Sequence, residues 1–281
     1  MVSVASRFAA VVAVIAALGT QTAVPTPAAA DQLPARVRAT YDVNFNGINV
    51  GSFDFAATTE GVSYSVASNT RLSLLLGAVS WTGGANASGR LLNGLARPAG
   101  FTFEYRGTGK SGSTRMGFTD ESVTSVVNLP KQPPKDGIVP VMPQHLRGVL
   151  DPMSAVLVLA RGSGDGPCGR RLPIFDGQMR FDLLLIPRGT VQLSEQRPSG
   201  QPGTGYVCKV KFVPIAGHRL DEEAKFMAAT DGIEIILRPI PSANIYVPYR
   251  ITIPTMAGPA TLVSRNVDIV TSSNQQIALL H

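Results

Sequence analysis

The sequence contains few of the residues from which most catalytic and metal sites are built. Its three histidines, His145, His218 and His281, have a spacing that suggests neither a metal site nor a pair of base and nucleophile. It has no Gly-x-Ser-x-Gly elbow and no His-Glu-x-x-His motif. The acidic residues that follow His218, at 221–223, are more typical of a solvated loop than of an acid-rich site. We therefore predict that the protein is not an enzyme and uses no cofactor or metal ion.

A single stretch, 107–111, suggests phosphate binding because it ends in Gly-Lys-Ser. The position five before Gly109 is Glu104, where a phosphate-binding loop requires glycine. Such a loop also opens a helix, but the residues at 114–118 are typical of a strand. We interpret the stretch as a hairpin turn.

Clusters of charge are also missing. The formal net charge is +6, and the lysines and arginines are scattered, with Arg170 and Arg171 as the only adjacent pair. Nucleic-acid binding usually requires a basic patch. The charge pattern therefore argues against a nucleic-acid partner and favours loose contact with an anionic surface such as phospholipid head groups.

One long apolar run, 8–18, follows the positive charge of Arg7 and precedes the small residues of 28–30. The run is shorter than the roughly 20 residues that a membrane span needs, and it matches the apolar region of a signal peptide. We predict a signal peptide over residues 1–30, with a retained anchor as the alternative.

Cleavage is expected between Ala30 and Asp31, and the product is expected in the periplasm. The net charge falls to +5 because the removed segment carries Arg7 and no acid. No second segment is long and apolar enough to remain as a stable membrane span. We predict that residues 31–281 form a single β-rich domain.

Only two cysteines are present, Cys168 and Cys208, 40 residues apart. In an exported chain, two cysteines most simply form one disulfide, and loop-closure entropy gives it an upper value of about 4 kcal/mol. The alternative is a metal or redox pair, but the chain lacks a Cys-x-x-Cys motif and no histidine is close in sequence to either cysteine. Alternating polarity around Cys208 predicts that its side chain points inward.

The stretch Leu150–Gly177 contains the strongest helix signal. Asp151 suits an N-cap, Pro152 the first helical position, Arg161 the last turn and Gly162 the position just beyond it. The residues between are apolar except for Ser154, so we expect a buried helix. The alternative is a buried strand, because the residues at 156–159 also suit a sheet interior.

The rest of the chain reads as about fifteen short strands, with Asn46-Gly47 and Asp176-Gly177 as hairpin turns. The apolar patch 72–79 fits either a strand buried on both faces or a short helix. The proline-rich segment 130–143 is expected to be a flexible loop or a boundary. Residues 225–230 are expected to be extended. Residues 271–281 look weakly specified, and we expect the final histidine to be disordered.

Several short motifs, in this order, resemble the bacterial exported family called domain of unknown function 3108. The matching residues are Tyr41, Val43, Gly47, Val50-Gly51, Tyr64, Gly89, Arg97-Pro98, Asp151 to Ala155, Leu157 to Arg161, Asp176-Gly177, Pro239 and Tyr246-Val247-Pro248. The resemblance implies a mainly β fold similar to that of the periplasmic lipoprotein carriers LolA and LolB. In that fold a curved, unclosed antiparallel β-barrel wraps around one central helix. The motifs also resemble the β-spiral envelope-integrity proteins of alphaproteobacteria, which carry a single disulfide.

We therefore expect a non-catalytic periplasmic envelope protein that binds an apolar or amphiphilic ligand, such as a lipid or a lipoprotein acyl chain, in a half-barrel. The alternative is a structural protein that supports the cell envelope through a protein partner and holds no small ligand. Residues expected to line the ligand cleft are Leu74, Leu76, Trp81, Met153 and Leu157.

Overall fold

The computed structural model describes residues 33–74, 77–92, 94–131, 137–162 and 166–281. Fourteen strands dominate this part of the chain. Their bounds are β1 Arg36–Phe45, β2 Ile48–Glu60, β3 Ser63–Leu74, β4 Val79–Leu92, β5 Leu95–Gly107, β6 Lys110–Thr119, β7 Ser122–Leu129, β8 Arg170–Phe175, β9 Arg180–Gln192, β10 Thr204–Ala216, β11 Glu234–Ile240, β12 Ile245–Thr255, β13 Gly258–Val270 and β14 Gln276–Leu280. Two α-helices, α1 Pro152–Arg161 and α2 Glu222–Ala229, and two short 3₁₀ segments, Pro143–Leu146 and Pro241–Ala243, complete it.

All the strands belong to one antiparallel sheet, in the order β7-β6-β5-β4-β3-β2-β1-β13-β12-β11-β10-β9-β8, with β14 added alongside β13. Most neighbours are joined by tight hairpins. The expected Asn46-Gly47 turn between β1 and β2 is confirmed, and both residues have positive φ. Thr108 and Gly109 form the turn between β5 and β6, so the Gly-Lys-Ser stretch is a hairpin as predicted.

The sheet is not closed, because its two edge strands, β7 and β8, pair with β6 and β9 respectively and not with each other. The turn after β8 instead packs against the inner face near β7, where Asn128 donates a side-chain hydrogen bond of 2.9 Å to the carbonyl of Gly177. The extended segment 147–150 also crosses the gap between the edge strands β7 and β8. It bridges Ser122 at the start of β7 and runs parallel to Ile174 of β8.

Helix α1 follows this segment directly and lies inside the curve of the sheet, against β3, β4, β5, β8 and β12. The helix interpretation of the Leu150–Gly177 stretch is confirmed, with the expected N-cap at Asp151, and the strand alternative is wrong. Gly162 ends the helix with a φ of +67°. Buried positions include Met153, Ala155, Leu157 and Leu159, so most of the apolar surface is covered.

Apolar residues form two connected regions of core on either side of the helix. Met153 and Leu157 belong to the larger region, which lies mainly under β1 to β7 and β12 to β14, and Ala155 and Leu159 belong to the region under β8 to β11. The disulfide between Cys168 and Cys208 lies in the second region, with the two Cα atoms 5.6 Å apart. Cys208 is fully buried on the inner side of β10, as its pattern predicted.

The expectation of a single helix is wrong for the described residues, because α2 is also helical. Residues 225–230, expected to be extended, lie mostly in this helix, whose N-cap Asp221 accepts a hydrogen bond from the backbone of Ala224. None of the residues of α2 is fully buried. Its sequence, Glu-Glu-Ala-Lys-Phe-Met-Ala-Ala, also shows little apolar periodicity.

The C-terminal stretch 271–281 is ordered, contrary to expectation. β14 pairs with β13, and Ile277 and Leu279 are buried. The ring of His281 accepts a hydrogen bond from Arg238 through Nε2 and contacts the Ser264 hydroxyl through Nδ1, at 2.8 and 3.0 Å. Long-range contacts fix this segment, and they have no local sequence signal.

In its described part, the apolar patch at 72–79 is not a doubly buried strand. It holds the end of β3 and the start of β4, with Val79 42% exposed. In the proline-rich segment, Ile138 bridges Arg219 in the loop after β10.

The predicted signal peptide 1–30, its cleavage point between Ala30 and Asp31, and Leu76 lie outside the described residues. Among the residues that are described, no helix has the length and apolarity needed to cross a membrane.

Candidate functional site

The N-terminus of α1 is held by a buried chain of hydrogen bonds. The carboxylate of Asp151 accepts bonds from the backbone N–H groups of Met153 and Ser154 and from the Ser154 hydroxyl, at 3.0, 2.9 and 2.5 Å. The hydroxyl of Tyr64, on β3, lies 2.6 Å from that of Ser154. Because the single hydroxyl proton of Ser154 goes to Asp151, Tyr64 is the donor in this contact.

This chain of polar groups is fully enclosed, since Asp151 and Ser154 are 0% exposed and Tyr64 is 3% exposed. Burial raises the pKa of the Asp151 carboxyl, and the hydrogen bonds from Ser154 and Met153 oppose that shift. Burial also raises the pKa of the Tyr64 hydroxyl above its usual range. These buried groups hold the start of the helix against β3.

Gly89, on β4, makes room for Tyr64. A Cβ atom at this position would lie 2.6 Å from the Tyr64 hydroxyl oxygen and would also overlap the carbonyl of Arg97 on β5. Tyr64, Gly89, Arg97 and the Asp151–Ala155 motif, which are distant in sequence, therefore meet at one point in the fold. The contact between Tyr64 and Ser154 seats the helix on the sheet, and Gly89 leaves room for it.

The C-terminus of α1 is held by a second charged group, the half-buried guanidinium of Arg170. Arg170 donates from its guanidinium to the carbonyls of Leu159 and Gly162, at 2.5 and 3.1 Å. A cation at this position also complements the negative end of the helix dipole. Burial lowers the pKa of the Arg170 guanidinium to about 10, opposed by the nearby hydroxyl of Tyr246. Both ends of the helix are thus fixed to the sheet by side chains.

An apolar slot lies between α1 and the inner face of the sheet, with a volume of about 160 Å³. Its side chains come from β1, β2, α1, β12 and β13: Val37, Ala39, Tyr41, Phe53, Phe55, Ala57, Thr59, Val156, Leu157, Leu159, Ala160, Ile245, Tyr246, Val247, Pro248, Ile251 and Leu262, joined by Leu33 and Pro34 ahead of β1. The β2 residues among them, from Phe53 to Thr59, span roughly 20 Å of the strand, at about 3.3 Å per residue.

The slot can hold hydrocarbon but little else. An aliphatic cavity of about 150 Å³ stays dry and accepts a molecule the size of benzene. Hydroxyl groups on Tyr41, Thr59 and Tyr246 are the polar side-chain groups among the lining residues. Burial raises the pKa of both tyrosine hydroxyls, so neither ionises near neutral pH.

A larger depression of about 730 Å³ lies on the outer face of β3 to β6. It is open to solvent and its walls are polar or charged, with Asn69, Arg71, Thr82, Glu104 and Arg106 among them. Arg71 is already paired with Asp54 at 2.9 Å. Because the depression is wide, open to solvent and more polar than apolar, the smaller slot is the better candidate site.

The structure separates the five residues expected to line a cleft. Leu157 lines the slot. Met153 is buried one turn earlier, where its sulfur accepts a hydrogen bond of 3.5 Å from Ser68. Leu74 and Trp81 lie at one end of the sheet, outside the slot lining, and Leu76 is outside the described residues.

Sequence reasoning missed most of the lining, which β1, β2 and β12 supply. The signal was partly visible, because Ala39, Tyr41, Phe53, Phe55 and Ala57 alternate with more polar residues on two adjacent strands. Alternation identifies an inner face, but it does not say which part of that face meets the helix.

The three histidines stay apart in the fold. His145 accepts a hydrogen bond from the backbone of Met142, His218 lies in the loop after β10, and His281 binds Arg238. The described residues contain no group of three or more His, Cys, Asp or Glu side chains that could hold a metal ion.

Comparison with known proteins supports the fold. The chain is similar to the crystal structure of a beta-barrel-like protein of domain of unknown function DUF1849 from Brucella abortus, with a TM-score of 0.52 and 10% sequence identity. The alignment covers 85% of this chain and 99% of that one. No curated protein matches the sequence.

The model of the family described as protein of unknown function (DUF3108) matches residues 40–264. That match covers most of the chain, and the protein belongs to the DUF3108 family.

Proposed function

We propose that this protein is a non-catalytic binder of an apolar or amphiphilic ligand, and that an acyl chain occupies the slot beside α1. The observation that carries the proposal is the slot itself, which is lined almost entirely by apolar side chains. Such a space favours hydrocarbon through burial of apolar surface alone. On this reading α1 is a central helix within a LolA/LolB-like or β-spiral sheet, and the protein acts in the periplasm.

The helix forms one wall of the slot through Val156 and Ala160, which are only partly buried. A helix that filled the interior would leave neither side chain facing open space. The bonds at Asp151 and Arg170 fix the position of the wall, which limits the conformational entropy lost when a ligand binds.

A structural role without a ligand is the second candidate, and the small volume of the slot favours it. At about 160 Å³ the slot is below the roughly 300 Å³ at which pockets for drug-sized ligands begin. On this reading the edge strands would contact an envelope protein.

Binding of a fluorescent fatty acid to the purified chain separates the two candidates. The variant Ala160→Leu fills part of the slot with little change in helix propensity, and we expect it to weaken binding about tenfold or more. Ala229→Leu, the same change at an exposed position of α2, is the matched control and should bind like the wild type.

Native mass spectrometry of the protein purified from a bacterial host provides the second readout. A bound lipid that is lost in Ala160→Leu supports the carrier proposal. Absence of lipid, together with absence of fatty-acid binding, would rule it out and leave the structural role.

A further inference from the structure

The hydroxyl of Tyr41 is a polar group buried at the wall of the slot. Tyr41 is 5% exposed, and its side chain is one of those that line the slot. Its ring packs against Phe53, with 5.9 Å between the ring centroids. In the described part of the chain, no backbone or side-chain group forms a hydrogen bond with the hydroxyl. The Tyr41 hydroxyl is therefore a hydrogen-bonding group without a protein partner.

Two other deeply buried tyrosines show the usual arrangement. The hydroxyl of Tyr64 lies 2.6 Å from that of Ser154, and the hydroxyl of Tyr249, which is 9% exposed, lies 3.0 Å from that of Ser194. Buried tyrosine hydroxyls normally find such a partner because an unpaired polar group inside a protein costs free energy. The Tyr41 hydroxyl thus lacks what the other two have, and the slot beside it is a space in which a partner from outside the chain can lie.

The strand register places this hydroxyl towards one end of the slot. Tyr41 pairs with Phe53, the first of the β2 residues that line the slot, and Thr59 is the last of them. The hydroxyl of Thr59 donates a hydrogen bond of 2.8 Å to the carbonyl of Pro34, so it already has a partner within the protein. The unpartnered hydroxyl of Tyr41 therefore lies near the Phe53 end of a space whose other walls are almost entirely apolar.

The slot is also without charge. None of the described residues that line it is ionisable apart from its two tyrosines. Arg170 interacts with Tyr246, but it does not line the slot, and its guanidinium donates to the carbonyls of Leu159 and Gly162. An ionised group placed in the slot would lose its hydration without gaining a counter-ion, which is costly. The slot therefore favours a neutral ligand.

We propose that the slot binds a neutral acyl ester, and that the ester carbonyl accepts a hydrogen bond from the Tyr41 hydroxyl. A phenol hydroxyl can donate, an ester oxygen can only accept, and the hydrocarbon on either side of the ester suits the apolar walls. This inference rests on the proposed function, because it assumes that an acyl chain enters the slot. A free fatty acid can place its chain there with the carboxylate outside, and it then makes no use of Tyr41.

The substitution Tyr41→Phe tests the hydrogen bond because it removes the hydroxyl and keeps the ring. The probes are methyl butanoate, hexane, which has the same chain length, and the butanoate anion, all small enough for a slot of about 160 Å³. Each probe is titrated into methyl-labelled protein. The NMR shifts of the methyl groups of Val156, Leu157 and Ile245, which line the slot, give the Kd.

We expect Tyr41→Phe to raise the Kd for methyl butanoate about threefold to tenfold, which is the effect of one neutral hydrogen bond. The Kd for hexane should stay the same or fall, because the variant removes an unpaired polar group from the wall. Butanoate should bind the wild type at least about tenfold more weakly than its methyl ester. Tyr105→Phe, the same change outside the slot lining, is the matched control and should bind all three probes like the wild type.

Thermal melts add a readout that a structural role of the hydroxyl would change. Because the Tyr41 hydroxyl has no partner in the described part of the chain, Tyr41→Phe should melt at the wild-type temperature or slightly above it. A clearly lower melting temperature would show that the hydroxyl holds the fold together, and it would overturn the inference.

The titrations distinguish failure of this inference from failure of the proposed function. If hexane binds and Tyr41→Phe leaves the Kd for methyl butanoate unchanged, the inference is overturned and the acyl-chain proposal stands. Equal weakening of hexane and ester by the variant, or binding of butanoate as tight as that of the ester, also overturns it. If no probe shifts the slot methyl signals, the proposed function fails and the inference fails with it. Weakening of the ester alone supports the inference.

Discussion

The hydroxyl of Tyr64 lies 2.6 Å from that of Ser154, 90 residues further along the chain, and together with Asp151 it joins strand β3 to the start of α1. Neither residue is near solvent. The contact links a tyrosine in an early strand to a serine in the first turn of the helix. It fixes the position of the helix that forms one wall of the slot.

Removing this contact should cost stability in a coupled way. Tyr64→Phe deletes only the hydroxyl, and we expect a loss of about 1–1.5 kcal/mol in the free energy of unfolding. Ser154→Ala should cost at least as much because it also removes a bond to Asp151. Urea denaturation of both single variants and the double variant provides the measurement. Because the two residues share one network, the double variant should lose less than the sum of the single losses, and strict additivity would show that they act separately.

Gly89 should tolerate no side chain. The Cβ of Gly89→Ala would press on the Tyr64 hydroxyl oxygen, and we expect a loss of about 1–3 kcal/mol. Gly100→Ala, on neighbouring β5, is the control, because its Cβ would meet its nearest atom, the carbonyl oxygen of Met116, at 3.9 Å. Thermal melts of the two variants compare them directly. Equal melting temperatures for both would mean that the sheet yields easily at Gly89.

The disulfide should stabilise the fold by restricting the conformations of the unfolded chain. Cys168 and Cys208 enclose a loop of about 40 residues, for which loop-closure entropy gives an upper value of about 4 kcal/mol. We expect Cys168→Ser and Cys208→Ser each to lower the melting temperature, with neither better than the double variant. Identical melting temperatures of the wild type with and without reductant would contradict a stabilising role.

Acid should weaken the fold through His281. Burial and the nearby guanidinium of Arg238 lower the pKa of this histidine to about 4, against 6.5 in an unfolded chain. Between these values the unfolded state binds more protons, so stability is lost as pH falls from about 6.5 towards 4. Melting temperatures of the wild type and His281→Gln across that range should show a smaller decline in the variant. If the melting temperatures of the wild type and the variant declined in parallel, the acid sensitivity would arise from another group.

Local signals were sufficient for the features that depend on neighbours in sequence. Asp151 and Gly162 indicated both ends of α1, and alternation around Cys208 gave its inward orientation. The Asn46-Gly47 pair predicted the hairpin because the local turn conformation, and not a distant contact, determines where the chain reverses.

The features that were missed depend on distant partners or on weak periodicity. His281 is ordered by Arg238, 43 residues away, which nothing in its own segment indicates. Helix α2 has a good cap in Asp221 but buries no residue completely, so it lacks the apolar repeat by which helices are recognised. Predicting the slot would have required the register of β1 with β2 and β13, because only that register places Phe53 and Leu262 opposite the same helix.

The most direct test of an acyl-chain site is an NMR measurement of contacts between a fatty acid and the protein's methyl groups. With palmitate added to methyl-labelled protein, we expect intermolecular cross-peaks to Val156, Leu157 and Ile245, which line the slot. Val210 and Leu237, buried in the other region of the core, should show none. Saturating palmitate without cross-peaks to the slot methyls, or with equal cross-peaks to both sets, would contradict the proposal.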